Sequence, residues 1–213
     1  MVTHRWARHP DPKAAMIEAA TTLFRRRGYE GVGVAELIAF SGAPRGSLYF
    51  HFPGGKEQIA LEAVRGASEA VLAGIRERAK ITTSLEDYIN TACTGWAANL
   101  DESGFENGCI IALVGLEAAS VSPALKAEAA KAFADWEDAL SAMANEKGLP
   151  EPWSRQFASA FIGAVEGGIM LARTRNRSRA MLDAAAACTA YVKALRAEAE
   201  AAAQSRPTVA EPA

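Results

Sequence analysis

Long apolar runs are missing. None of the 213 residues falls in a stretch approaching the roughly 20 consecutive apolar positions of a membrane-spanning helix. The N-terminus has no apolar core of the signal-peptide kind. Cysteine is scarce: Cys93, Cys109 and Cys188 stand far apart with no CxxC pair. That excludes a disulfide framework and leads us to expect buried free thiols in a reducing cytoplasm. Histidine is equally rare, and His4, His9 and His51 all precede the larger part of the chain. There is no HExxH, no cluster with metal-ligand spacing and no glycine-rich phosphate loop following a strand. No catalytic residue, metal or cofactor is therefore expected, and an enzyme is disfavoured. Apolar residues also never alternate with period two, so strands are not expected.

Charge is present, and it is uneven. Residues 1–52 hold seven Lys/Arg (Arg5, Arg8, Lys13, Arg25, Arg26, Arg27, Arg45) against four acids, a balance of +3 within a net charge of -2. The remainder therefore carries -5. A basic front on an acidic body suits nucleic acid at one end only.

Helical periodicity runs through nearly every segment, which gives an all-α fold of about nine helices. Helix one is expected over about 11–28, with Ala15, Ala19, Leu23 and Phe24 inward and Gly28 as its stop. Helix two is expected over about 34–41 after Gly33, a weaker cap than Ser or Thr. Helix three follows over about 44–51, with Pro44 in its first position. Helix four begins near Gly55 and extends to about 80. Five more are expected over about 84–101, 109–120, 122–147, 152–174 and 177–204. The expected organisation is a head of short helices (1–53), a larger helical body (54–205) and a disordered tail (206–213).

The chemistry concentrates at 37–58. Two short helices joined by a glycine turn at Gly42 form the unit that lays one helix in a DNA groove. On a helical wheel, Leu48 and Phe52 fall together and should plug the core, while Gly46, Tyr49 and Phe50 fall opposite. Ser47 and His51 flank that outer face, and Arg45 precedes it. Bare aromatics on a small head make sense if a groove buries them. Arg45 can bridge base acceptors or a phosphate, and Tyr49 and His51 can bond phosphate oxygens. Lys56 stands at the start of helix four, where helix N–H groups also favour an anion. For Tyr49 and His51, a place in the core is the competing reading.

Residues 13–60 resemble the N-terminal domain of the TetR family of bacterial regulators. The likeness rests on the Gly-Tyr ending of helix one, the Gly42 turn and the Leu-Tyr-Phe-His-Phe run at 48–52. The longer run from Ser41 to Gln58, with Gly108-Cys109 and Leu116-Glu117 in the body, is similar to the LmrA/YxaF-like branch. The resemblance implies a homodimer that represses transcription from a double-stranded operator and is released by a small molecule. It also implies that Arg45, Gly46, Ser47, Tyr49, His51 and Lys56 touch DNA. Gly33 stands where the family usually caps with Thr, and Phe50 where Tyr, His or Trp is common.

In the body, Gly163, Gly167 and Gly168, and a stripe from Met181 through Ala185, Cys188 and Val192 to Leu195, offer small faces for a two-fold helical bundle. The competing reading is that the glycines pack only within one subunit. Candidate walls for a pocket are Tyr88, Cys93, Trp96, Trp136, Met143, Phe161 and Met170, with Glu117 and Glu166 as candidate polar groups. Either acid could instead lie on the helix surface or in an intersubunit salt bridge. The expected effector is small and largely apolar. A regulator controlled by a partner protein or by thiol oxidation, with no such ligand, is the alternative.

Overall fold

The computed structural model describes residues 11–118 and 120–205. Among them the chain forms nine α-helices and no strand: α1 (Pro12–Arg27), α2 (Val34–Ser41), α3 (Ser47–His51), α4 (Gly55–Ile81), α5 (Leu85–Glu102), α6 (Ile110–Ala118), α7 (Pro123–Glu146), α8 (Trp153–Arg175) and α9 (Arg179–Gln204). The tail expected from position 206 lies outside the described residues, as do Arg5, Arg8, His4 and His9.

Local chemistry sets most boundaries. The Asp11 carboxylate accepts the Lys13 N–H at 2.8 Å, and Pro12 takes the first helical position of α1. Three arginines in the last turn of α1 meet the negative end of its dipole. Gly28 then adopts φ 73° and ψ -177°, a conformation essentially confined to glycine. α2 starts after Gly33 with no side-chain cap and stops at Gly42, which is left-handed at φ 66°. Ser84 and Ser122 cap α5 and α7 by accepting the N–H of Asp87 and Leu125, each at 3.1 Å.

α3 is shorter than expected. Residues 44–46 make a turn, closed by the Ser47 N–H on the Pro44 carbonyl at 2.9 Å, and the helix starts only at Ser47. A proline ring fixes φ equally well for a turn and for a first helical position, so the sequence could not separate them.

α4 spans 27 residues, about 40 Å. It packs on both α1 and α7. The body is closed by α5 against α9, α7 against α8 and α8 against α9. Phe24, Leu37 and Leu48 of the first three helices, and Phe52 just after α3, are fully buried and belong to the same core cluster as Tyr88, Trp136 and Phe161. No helix among the described residues is long and apolar enough to cross a membrane.

Candidate nucleic-acid interface and body cavity

α3 sorts its side chains as the wheel predicts. Leu48 and Phe52 are inaccessible, whereas Tyr49 is 67 % and Phe50 83 % exposed. Arg45 and Gly46 are exposed in the turn before it, and Ser47 and His51 are half-buried. Open space lies where a Gly46 Cβ would stand, so the backbone there can approach a wall closely. The His51 ring packs edge-on against Phe50, with centroids 5.0 Å apart. Lys56 differs from these six. Its ammonium lies 4.0 Å from the centroid of the Tyr29 ring, and burial lowers its pKa from the usual lysine value. A phosphate would have to share Lys56 with that ring.

The last turn of α1 is tied to the body by backbone and side chains together. The Gly108 N–H donates to the Arg25 carbonyl at 2.8 Å, and Arg25 Nε returns a bond to the Gly108 carbonyl at 3.3 Å. A second Arg25 nitrogen donates to Asn99 Oδ1 at 3.3 Å. Arg173 on α8 donates to the Arg26 carbonyl at 2.8 Å and to the Phe105 carbonyl at 3.3 Å. Carbonyls that a helix end leaves free are thus satisfied by residues far along the chain. Any Cβ on Gly108 would come within 2.5 Å of Arg173 and 3.1 Å of the Arg25 carbonyl.

A cavity of about 310 Å3 opens inside the body between α4, α5, α7 and α8, and Arg25 of α1 reaches its wall. Tyr88, Trp96, Trp136, Phe161 and Glu166, all expected from sequence, line it. Phe161 stacks on Phe157 at 5.4 Å and meets Tyr88 edge-on at 6.0 Å, which fixes the aromatic end. Trp136 donates its indole N–H to the Ser68 carbonyl at 3.3 Å. Burial holds the Glu166 carboxyl above the usual carboxylate range, and its hydrogen-bond partner is the Cys109 thiol.

Four expected wall residues lie elsewhere. Cys93 is buried one position off the α5 face formed by Tyr88, Ala92, Trp96 and Asn99, near Cys188 on α9. Met143 is buried about one turn beyond Leu140, past the end of the cavity. Met170 is 59 % exposed because it shares the outer face of α8 with Gly163 and Gly167. Glu117 leaves the cavity altogether: its carboxylate accepts the Glu30 N–H at 2.8 Å and sits against Gly28. The polar wall residues Arg25, Arg78 and Asn99 were not expected from sequence. A signal for Arg78 existed, since it ends the stripe Val71, Gly74, Ile75 on α4. Arg25 was legible only as a helix-end charge.

The outer faces of α8 and α9 are only partly as expected. Gly163 and Gly167 face open space, whereas Gly168 packs inward, where a Cβ would meet Met181 at 2.8 Å. The stripe from Met181 to Leu195 is buried within the subunit, and Leu182 and Tyr191 are the large apolar side chains that α9 turns outward. α9 needs the first stripe to close on α5 and α8.

The family profile described as "Bacterial regulatory proteins, tetR family" matches residues 16–63, and "Transcriptional regulator LmrA/YxaF-like, C-terminal domain" matches 86–188. HTH-type transcriptional regulator LmrA of Bacillus subtilis is 33% identical over 183 residues, covering 81% of this chain and 92% of its own. YxaF of the same organism is 30% identical over 172 residues, covering 81% and 90%. Among solved structures, a TetR transcriptional regulator from Legionella pneumophila superposes with a TM-score of 0.77 at 18% identity, over 85% of this chain and 97% of that one. A regulatory protein TetR from Rhodobacter sphaeroides gives 0.75 at 20% identity, over 84% and 97%. At such identities the structures speak for the fold, and the sequence relatives for the family. With bare aromatics on α3 and matches across both parts of its length, the chain belongs to the TetR family of bacterial transcriptional regulators, in the LmrA/YxaF-like branch, and is a DNA-binding protein and not an enzyme.

Proposed function

We propose that the protein is a ligand-responsive repressor of the bacterial cytoplasm, binding a near-palindromic operator as a homodimer and released by a small effector held in the body. The observation that carries this reading is the inversion on α3: its aliphatic anchor is wholly buried while Tyr49 and Phe50 stand in solvent. Burial of such rings against a groove is favourable, and the edge contact of Phe50 with His51 leaves Tyr49 and Phe50 largely in solvent. Arg45 and Gly46 precede them in the turn and Ser47 and His51 flank them, so six of the seven candidate contacts, all but Lys56, share one segment. The working division is a head over 1–53 and a body over 54–205.

Dimerisation is supported by the outer face of α8 and α9. Gly163 and Gly167 leave room for close helix approach, and Met170, Leu182 and Tyr191 supply apolar area around them. A two-fold pair must set its α3 helices about 34–36 Å apart to enter successive major grooves. An effector acts only by binding the spacing that cannot reach DNA more tightly than the one that can.

The test uses a duplex from upstream of the protein's own gene in fluorescence anisotropy. Wild-type binding should be specific and should weaken steeply between 50 and 200 mM salt, by about a thousandfold if six or more phosphates are neutralised. Tyr49→Ala should lose specific binding while its melting curve is unchanged. Retained operator affinity in that variant, or a monomer in sedimentation at the concentrations where the duplex is bound, would overturn the reading.

A further inference from the structure

We propose that the body cavity is built for an organic anion, an aromatic carboxylate, whose charged group is received by Arg25 and Arg78 over one turn of α5. The proposal rests on the reading of the chain as a ligand-responsive regulator and names the ligand class of that site.

Both guanidinium groups line the same cavity, and both lean on α5. Arg25 donates to Asn99 Oδ1, and an Arg78 terminal nitrogen lies 3.8 Å from where a Gly95 Cβ would stand. Gly95 and Asn99 are one turn apart, about 6 Å along the axis. Gly95 has no side chain to fill the space beside Arg78.

Neither cation is neutralised. Among the described residues no ion pair within 4 Å reaches Arg25 or Arg78. Arg25 donates to the Gly108 carbonyl and the Asn99 amide oxygen, while Arg78 donates to the Gly74 carbonyl at 3.4 Å and lies 6.0 Å from the centroid of the Tyr88 ring. Neutral dipoles satisfy donors without cancelling charge, and a partly buried cation lacking a counter-ion favours an anionic ligand. Burial lowers the pKa of Arg25, as expected for a charge without a carboxylate partner, yet an arginine stays protonated. The cavity's own acid does not fill the role: Glu166 bonds the Cys109 thiol, and burial favours its neutral form. Glu18 lines an adjoining cavity of about 460 Å3 that shares Arg25, but it is exposed and about 10 Å away along α1.

The rest of the wall selects the scaffold. Tyr88, Trp96, Trp136 and Phe161 present ring faces and edges, which suits a flat aromatic body behind the charge. The site also explains how occupancy could reach DNA. Arg25 belongs to α1, and its bonds to Asn99 and Gly108 fasten that helix to the body. A carboxylate drawing the guanidinium toward itself competes with both bonds, so the ligand discriminates between two placements of the head.

The test is calorimetric titration of the full chain with 2-naphthoate and with 2-naphthamide, which share rings and differ in charge. Naphthoate should bind at least about tenfold more tightly. Arg25→Met and Arg78→Met should each erode that preference at least severalfold while leaving naphthamide within about twofold of wild type. Should Arg25→Met fail to fold by circular dichroism, Arg78→Met and Arg25→Lys decide, the latter keeping most of the preference. Naphthamide binding as well as naphthoate, no heat with either, or a preference untouched by both methionine variants overturns the proposal. Anisotropy on the operator duplex separates this from the wider reading. Charge-selective binding without DNA release keeps the anion site and removes the regulator; release by naphthamide alone does the reverse.

Discussion

α3 has five residues and α5 has eighteen, and both carry aromatic side chains, which they turn in opposite directions. α3 buries an aliphatic residue and leaves Tyr49 and Phe50 in solvent. α5 buries Tyr88 among other rings and leaves polar residues outside. Residue type alone therefore says nothing about role. In α3 the short helix has one anchoring position per turn, and Leu48 takes it, so the neighbouring rings have nowhere to go. In α5 an uninterrupted amphipathic face has helices on several sides to receive it.

Exchanging the two tyrosines for alanine would sharpen this contrast most. Tyr88→Ala should cost about 3–5 kcal/mol of stability, as for other large buried aromatics. Tyr49→Ala should move stability by less than about 0.5 kcal/mol. Urea unfolding of both proteins measures the difference, and equal losses would erase the distinction between the helices. Leu48→Ala comes next, with about 2–5 kcal/mol lost through the cavity it leaves. It should weaken DNA binding only through the folded fraction, which a titration at two temperatures resolves. Arg45→Ala should leave unfolding unchanged and reduce operator affinity by about 1–3 kcal/mol if it reads a base edge.

A smaller effect concerns the proton inventory of the body. Burial pushes the Tyr88 hydroxyl and the Cys93 thiol up to about 12 and the Cys188 thiol up to about 11. The unfolded chain releases these protons at the ordinary values of about 10 for Tyr and 8.5 for Cys, while the folded chain keeps them. Stability held by these groups is thus complete below about pH 8.5 and is lost as pH rises through about 11 to 12. Urea midpoints at pH 8, 9 and 10 should fall in that order, and the native thiols should resist alkylation at pH 8. Brisk native alkylation would instead favour control by oxidation.

The helix map was legible because periodicity, glycine stops and Ser, Asp and Pro starts agree along most of the chain. Only α3 began more than two residues later than expected, where a proline serves two conformations equally. The α3 surface was legible because a wheel on a short helix has few solutions. The cavity was half legible. Aromatics announced it, but Cys93, Met143, Met170 and Glu117 show that apolar neighbours in sequence do not fix which side of a helix a residue takes. Arg25 was hidden for another reason: its wall position depends on Asn99 and Gly108, more than seventy residues away. Glu117 likewise reads as a pocket acid until the turn at Gly28 is seen beneath it.

The junction at Gly108 bears on how such regulators diversify. A main-chain bond joins the end of α1 to a loop of the larger helical body, and Arg173 clamps the same spot from α8. A chimera that borrows only the first fifty residues from a relative inherits a mismatched seam unless the loop and that arginine travel with them. New operator preferences are then most easily acquired by altering side chains on α3 in place, and wholesale exchange of the front end is the harder path.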